Sequence, residues 1–136
     1  MELSKNEIKK ALIQWDKAWE NYDLDGVIAL FHDDVLFDNW TGARARGKED
    51  VRKAWAPWFE NHGGFRFTME DIFIDQEEQK TLYQWQLDWP SLEKGYEGRP
   101  ETRRGVDVMH FLDGKIIRKL TYSKTIVEID GQRVRG

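Results

Sequence analysis

The chain has 136 residues, of which 40% are hydrophobic and 34% charged, with a formal net charge of −4 and no cysteine. That length suits one domain, 1–136, and the apolar content is that of a globular chain and not a disordered one. Disulfide and thiolate chemistry are excluded, and no apolar run approaches membrane-span length. The N-terminus MELSKNEIKK lacks the apolar core of a signal peptide, so a cytoplasmic location is expected, and the acidic balance argues against nucleic acid as a partner.

Ser4-Lys5-Asn6-Glu7 reads as a capping box that opens a first helix. Ile8, Leu12, Trp15, Trp19 and Tyr22 then recur at spacings of four, three, four and three, one apolar stripe on a helix from Lys5 to Tyr22. Asp23 is placed to cap a short second helix through Val27, Ile28, Leu30 and Phe31, which His32-Asp33-Asp34 ends. Val35 to Trp40 reads as a strand, with Val35, Phe37 and Asn39 on one face and Leu36, Asp38 and Trp40 on the other. Gly47 precedes a third helix, Lys48 to His62, with the stripe Val51, Trp55, Trp58, Phe59; Pro57 is expected to kink it or end it early, and Gly63-Gly64 to stop it.

The remainder alternates as strand. Phe65–Asp75, Thr81–Trp89 and Thr102–Leu112 are separated by a turn at Glu77-Glu78-Gln79 and a polar loop from Ser91 to Pro100. Asp113-Gly114 makes a hairpin turn, and Lys115 to Ile129 is expected as one long return strand before Asp130-Gly131 and a short tail. Three helices followed by long antiparallel strands imply an α+β fold, helices packed on one face of a curved sheet. Arg99, Arg103 and Arg104, like Arg133 and Arg135, read as solvated charges near strand ends.

Three segments carry a family resemblance. Asp23-Leu24-Asp25-Gly26 with Ala29-Leu30-Phe31-His32-Asp33-Asp34-Val35, then Gly47-Lys48-Glu49-Asp50-Val51-Arg52, then Phe111-Leu112-Asp113-Gly114-Lys115-Ile116, resemble recurrent segments of the NTF2-like superfamily in order and spacing. The resemblance is to its SnoaL-like and ketosteroid isomerase-like group. It implies a cone of three N-terminal helices on a strongly curved, mostly antiparallel sheet, with a small-molecule pocket at the open end and no cofactor. His32, His62 and His110 are scattered without metal-ligand spacing, so no metal site is expected. It does not fix function, since isomerases, cyclases, hydrolases and non-catalytic binding domains share the fold.

Residue by residue, the resemblance places Asn39 where ketosteroid isomerases keep a carboxylate base. An amide cannot take a proton at neutral pH, so steroid-type isomerisation is expected to be absent or slow. In limonene-epoxide-hydrolase-like members an asparagine there helps hold the attacking water. Trp15 falls at an oxyanion-hole tyrosine and can donate but not exchange a proton. Asp107 falls close to the isomerase carboxylic acid. If its face, shared with Met109 and Phe111, is the inner one, it is the acid or base; if the outer one, it pairs with Arg103 or Lys119. Tyr122 is expected at the polar floor beside Asp107. Gln86, Asp88 and Thr121 fall where epoxide-hydrolase-like members keep an Arg/Asp pair and a second acid, so the arginine and the second acid are missing and a complete hydrolase site is not expected. Asp38 is the alternative inward carboxylate.

Seven tryptophans are many for this length. Trp15, Trp19, Trp55, Phe59, Trp85 and Met109 are expected to line a pocket of roughly 300–1,000 Å³, and other rings a homodimer interface formed by sheets packing face to face. The expected function is therefore binding of a small apolar carbonyl or polyketide-like compound, with Asp107, Asn39 and Tyr122 as catalytic groups if there is turnover. The alternatives are a pocket without turnover and a protein–protein adaptor using the sheet face.

Overall fold

The computed structural model describes all residues from Met1 to Gly136. Helix α1 (Lys5–Glu20) opens on the capping box: Glu7 N–H donates to Ser4 Oγ at 3.2 Å and Ser4 N–H to the Glu7 carboxylate at 2.9 Å. It stops two residues short of the expected end because Tyr22 takes a left-handed backbone, φ 53°. Asp23 caps α2 (Leu24–Ile28) through the Gly26 N–H.

The second helix is shorter than its apolar pattern suggested. Phe31 opens strand β1 (Phe31–Asp38), where it pairs in parallel with Ile116 and is fully buried. The short β2 (Arg44–Arg46) pairs back on β1. Helix α3 (Gly47–Glu60) runs through Pro57 for three more residues. Its last turn is held by stacking of Trp58 on Phe65, ring centroids 4.1 Å apart, so the lost backbone donor does not end it.

Strands β3 (Arg66–Asp75), β4 (Lys80–Pro90), β5 (Pro100–Leu112) and β6 (Lys115–Ser123) form the antiparallel body of an eight-stranded sheet. The order β2-β1-β6-β5-β4-β3 places β1 parallel to β6, so the sheet is mixed. The expected long return strand is broken. It leaves β5 after Ser123 and rejoins it as β7 (Ile126–Ile129) opposite Glu101 and Thr102. From Thr102 to Gly105 is three steps and from Ser123 to Glu128 is five, so two residues are in excess and the ladder opens there. The tail is strand β8 (Gln132–Arg135), turned back on β7 by Asp130 and Gly131, φ 52° and 76°.

Three register shifts curl the sheet: between Phe31 and Leu36 in β1, at Glu70 in β3 and at Ile117 in β6. The concave face and the helices enclose one apolar cluster that includes Ile8, Leu12, Trp19, Val51, Phe65 and Leu87. The result is an α+β cone with three helices, although β1 and β2 intervene before the third. No helix is long and apolar enough to cross a membrane. Gly105 stands opposite Trp85; a Cβ there would lie 2.5 Å from the indole and 2.2 Å from the Tyr122 carbonyl oxygen, so only glycine lets the ring cover the strand.

Candidate functional site

The helices and the concave sheet face leave a cavity of about 880 Å³. All seven tryptophans line it: Trp15 and Trp19 from α1, Trp55 and Trp58 from α3, Trp85 and Trp89 from β4, and Trp40 from the turn after β1. None serves the outer sheet face, where some had been expected. Trp40 escapes strand alternation because β1 ends at Asp38 and Asn39 N–H bonds Ala43 O to close a tight turn. Its ring then packs on Trp85 and Trp89, centroids 5.8 and 6.0 Å away.

Across this aromatic box runs a row of polar side chains. Tyr83, Asp107 and Thr121 are directly opposite one another on β4, β5 and β6, on the inner face. Lys119 joins them from β6. Its ammonium donates to Asp107 Oδ1 at 3.1 Å and to Thr121 Oγ1 at 2.6 Å, and Thr121 donates to the same Oδ1 at 2.7 Å. Both bonds accepted by Asp107 fall on Oδ1; Oδ2 takes none. The Lys119 Nζ also lies 4.7 Å from the Phe37 ring centroid and 5.7 Å from that of Trp55. Burial pushes the Lys119 amine below its usual range, and the Asp107 carboxylate opposes that shift.

At the other end of the row the Tyr83 hydroxyl donates to Asp16 of α1. Burial raises the Asp16 carboxyl above its ordinary value, the Tyr83 bond pulls it back, and Glu20 adds to the rise. Burial first, then the Asp16 bond and charge, hold the Tyr83 phenol well above its usual range, so it stays a donor.

Arg103 is not a solvated strand-end charge. It is 3% exposed in the cavity wall under the Trp40 ring, 5.1 Å from its centroid. Its guanidinium bonds Glu101 at 3.1 Å, Glu93 at 2.7 Å and Ser123 at 3.0 Å, while Glu101 also accepts from Trp89 and Ser91. This satisfied network fastens the loop after β4 to β5.

Of the residues singled out in the sequence, Trp15, Trp19, Trp55, Trp85, Asn39 and Asp107 line the cavity. Asn39 sits beside Trp40, its Oδ1 accepting the Trp40 N–H at 2.8 Å. Tyr122 does not: it is 57% exposed on the convex face, because its register partner is outward-facing Val106. Phe59 and Met109 are buried core residues outside the cavity wall. Asp38 pairs with Arg44 at 3.4 Å and does not reach the cavity. Lys119, Asp16, Tyr83 and Arg103 had no place in the expected site. Tyr83 shares the parity of Trp85, a signal that could have found it; Lys119 depends on a bulge that no local pattern announces.

The sequence pattern of the SnoaL-like domain matches residues 12–119. No curated protein matches the chain in sequence. Among solved structures, an NTF2-like protein of unknown function from Mesorhizobium loti superposes with a TM-score of 0.72 at 19% identity, over 91% of this chain and 96% of that one. TerC, co-crystallized with polyporic acid, superposes with a TM-score of 0.72 at 17% identity, over 88% and 92%. An LEH-like epoxide hydrolase of M. tuberculosis does so with a TM-score of 0.67 at 22% identity, over 88% and 84%. At these identities the likeness establishes the fold.

The Asp16 shift has a measurable sign. A carboxyl whose folded pKa is raised holds its proton longer folded than unfolded. Its stabilising contribution is complete below the ordinary 3.8 and is lost as pH rises through the folded value. Denaturant unfolding of the parent and Asp16→Asn should therefore show the difference moving in the variant's favour as pH climbs from 3.8, then levelling. A difference flat across that range, or moving the other way, would contradict the burial of this pair.

Proposed function

Because this chain belongs to the SnoaL-like domain family, within the NTF2-like group of folds, we propose that its cone binds a small, flat, largely apolar carbonyl or polyketide-like compound and acts on it by acid/base chemistry without a cofactor. The observation that carries the reading is Asp107. A carboxylate stands in the wall of an aromatic cavity, with one oxygen fixed by Lys119 and Thr121 and the other without a partner. Such an oxygen suits removal of a proton from the carbon beside a carbonyl. Lys119 and Thr121 orient the base. Asn39, whose Oδ1 is engaged by Trp40, keeps its amide N–H groups to orient the substrate, as does the Trp15 indole. Tyr122 has no part, being outside the cavity. That a neighbour of the same fold, TerC, was crystallised with polyporic acid supports a small molecule as the occupant.

The test is in two stages. Flat aromatic ketones titrated against the tryptophan emission should quench or shift it, and less so in Trp55→Ala. Bound ketone should then exchange its α-protons in heavy water, and Asp107→Asn should slow that exchange by about 10²–10⁴-fold, the usual contribution of a general base. Binding without exchange would make the cone a receptor without turnover. No response from any compound would end the pocket reading.

The convex face supports a homodimer as a second element of the proposal. Phe73, Leu82, Val108 and Leu120 form one cross-strand row there, next to Val106 and Tyr122, and Phe73 is 60% exposed. An apolar face of this kind suits a self-complementary contact. Sedimentation at micromolar concentration should give a two-chain species that Val108→Asp converts to monomer. A parent that sediments only as monomer would contradict it.

A further inference from the structure

We infer that Lys119 is a carbonyl-capturing nucleophile, whose amine condenses with an aldehyde or ketone in the cavity to give a Schiff base. The inference rests on the carbonyl-pocket reading and deepens it, by naming the atom to which the substrate becomes bonded. Lys119 is the one buried lysine among the chain's lysines; the rest are exposed or partly so. Although its side chain is 7% exposed, it lines the cavity, so a ligand reaches it where bulk water scarcely does. Phe37 and Trp55 stand at 4.7 and 5.7 Å from the nitrogen and would hold a flat carbonyl compound against it. Desolvation in an apolar pocket is also what makes a lysine nucleophilic near neutral pH, and burial lowers this one.

The neighbouring groups complete the proton inventory. The Lys119 ammonium passes one proton to Asp107 along the 3.1 Å contact. The free amine adds to the carbonyl carbon, and the C=O π electrons move to oxygen. That oxygen takes a proton from the new ammonium nitrogen, within reach of Thr121, to give a carbinolamine. The Asp107 acid protonates the hydroxyl, which leaves as water while the nitrogen lone pair forms C=N. The sum is ketone or aldehyde plus ammonium giving iminium plus water, with no oxidant or reductant. The iminium faces the same carboxylate as the ammonium did, so the buried site changes no net charge. It also acidifies the adjacent carbon, where the free Oδ2 of Asp107 is the available base.

The test uses the full chain, 6-methoxy-2-naphthaldehyde as probe and sodium cyanoborohydride to reduce any imine, read by intact mass and peptide mapping. At limiting aldehyde the first adduct should map to Lys119, with the exposed lysines serving as internal controls. The adduct should be lost in Lys119→Arg and slowed by about 10²-fold in Asp107→Asn, the lower end of an acid–base contribution. Mapping in the parent needs no variant to fold. Adducts on the exposed lysines with Lys119 unmodified would overturn the inference. A parallel emission titration with 2-methoxynaphthalene, the same ring without the carbonyl, separates the two readings: binding there with Lys119 unmodified by the aldehyde overturns the nucleophile alone, and no binding by either probe overturns the pocket as well.

Discussion

A single extra residue in β6 decides which side chains face the cavity. The hairpin pairs Leu112 with Lys115 and Phe111 with Ile116, and then His110 meets Arg118, so Ile117 has no partner. Side chains alternate with period two, and a one-residue slip sends every later side chain to the opposite face. Without the bulge, Asp107 would face Leu120, and Tyr122 would point inward with Arg118 and Leu120. With it, Lys119 and Thr121 point inward and meet Asp107. The polar floor of the cavity therefore follows from the register of one strand pair.

Once Lys119 is turned inward, its charge needs compensation. Removing an ammonium from water costs several kcal/mol even after relaxation. Asp107 at 3.1 Å, the Thr121 hydroxyl at 2.6 Å and the faces of Phe37 and Trp55 supply it. The arrangement is economical in atoms but not closed: Asp107 Oδ2 and the aromatic walls remain unmet by protein. Arg103 contrasts with this. It too lies in the cavity wall, yet Glu93, Glu101 and Ser123 take up its guanidinium, and its effect is to fix the loop that carries Leu92 and Glu93 to the rim. The two buried cations thus differ: protein groups accept from every guanidinium nitrogen of Arg103, while Lys119 sits beside Asp107 and Thr121 at the open cavity.

What could be read from the sequence was local. The capping box, the stripes of α1 and α3, the Asp113-Gly114 turn and the shared parity of Asp107 with Met109 and Phe111, though not which face that parity takes, each depend on residues within a few positions of one another. The same locality put Trp15, Trp19, Trp55 and Trp85 in one place. What could not be read depends on pairing between distant segments. Phe31 looked helical but is claimed by Ile116, far along the chain. Lys115–Ile129 looked like one strand, but β5 admits it only in two pieces. Tyr122 and Lys119 exchanged faces through the Ile117 bulge, and Trp40 joined the cavity through a turn rather than a strand. Arg103 looked like a surface charge because its three partners lie up to twenty residues away.

If the bulge builds a coupled polar floor, Asp107 and Lys119 must depend on each other energetically. A double-mutant cycle by denaturant unfolding, with Asp107→Asn, Lys119→Met and the pair, measures this directly. Each single change should cost about 3–5 kcal/mol, since it strands a buried charge. The double variant should cost less than their sum by about 2 kcal/mol or more, within the range of coupling between residues in contact. Costs that simply add would mean that the two side chains do not share one buried site, and that the coupled polar floor does not exist in solution.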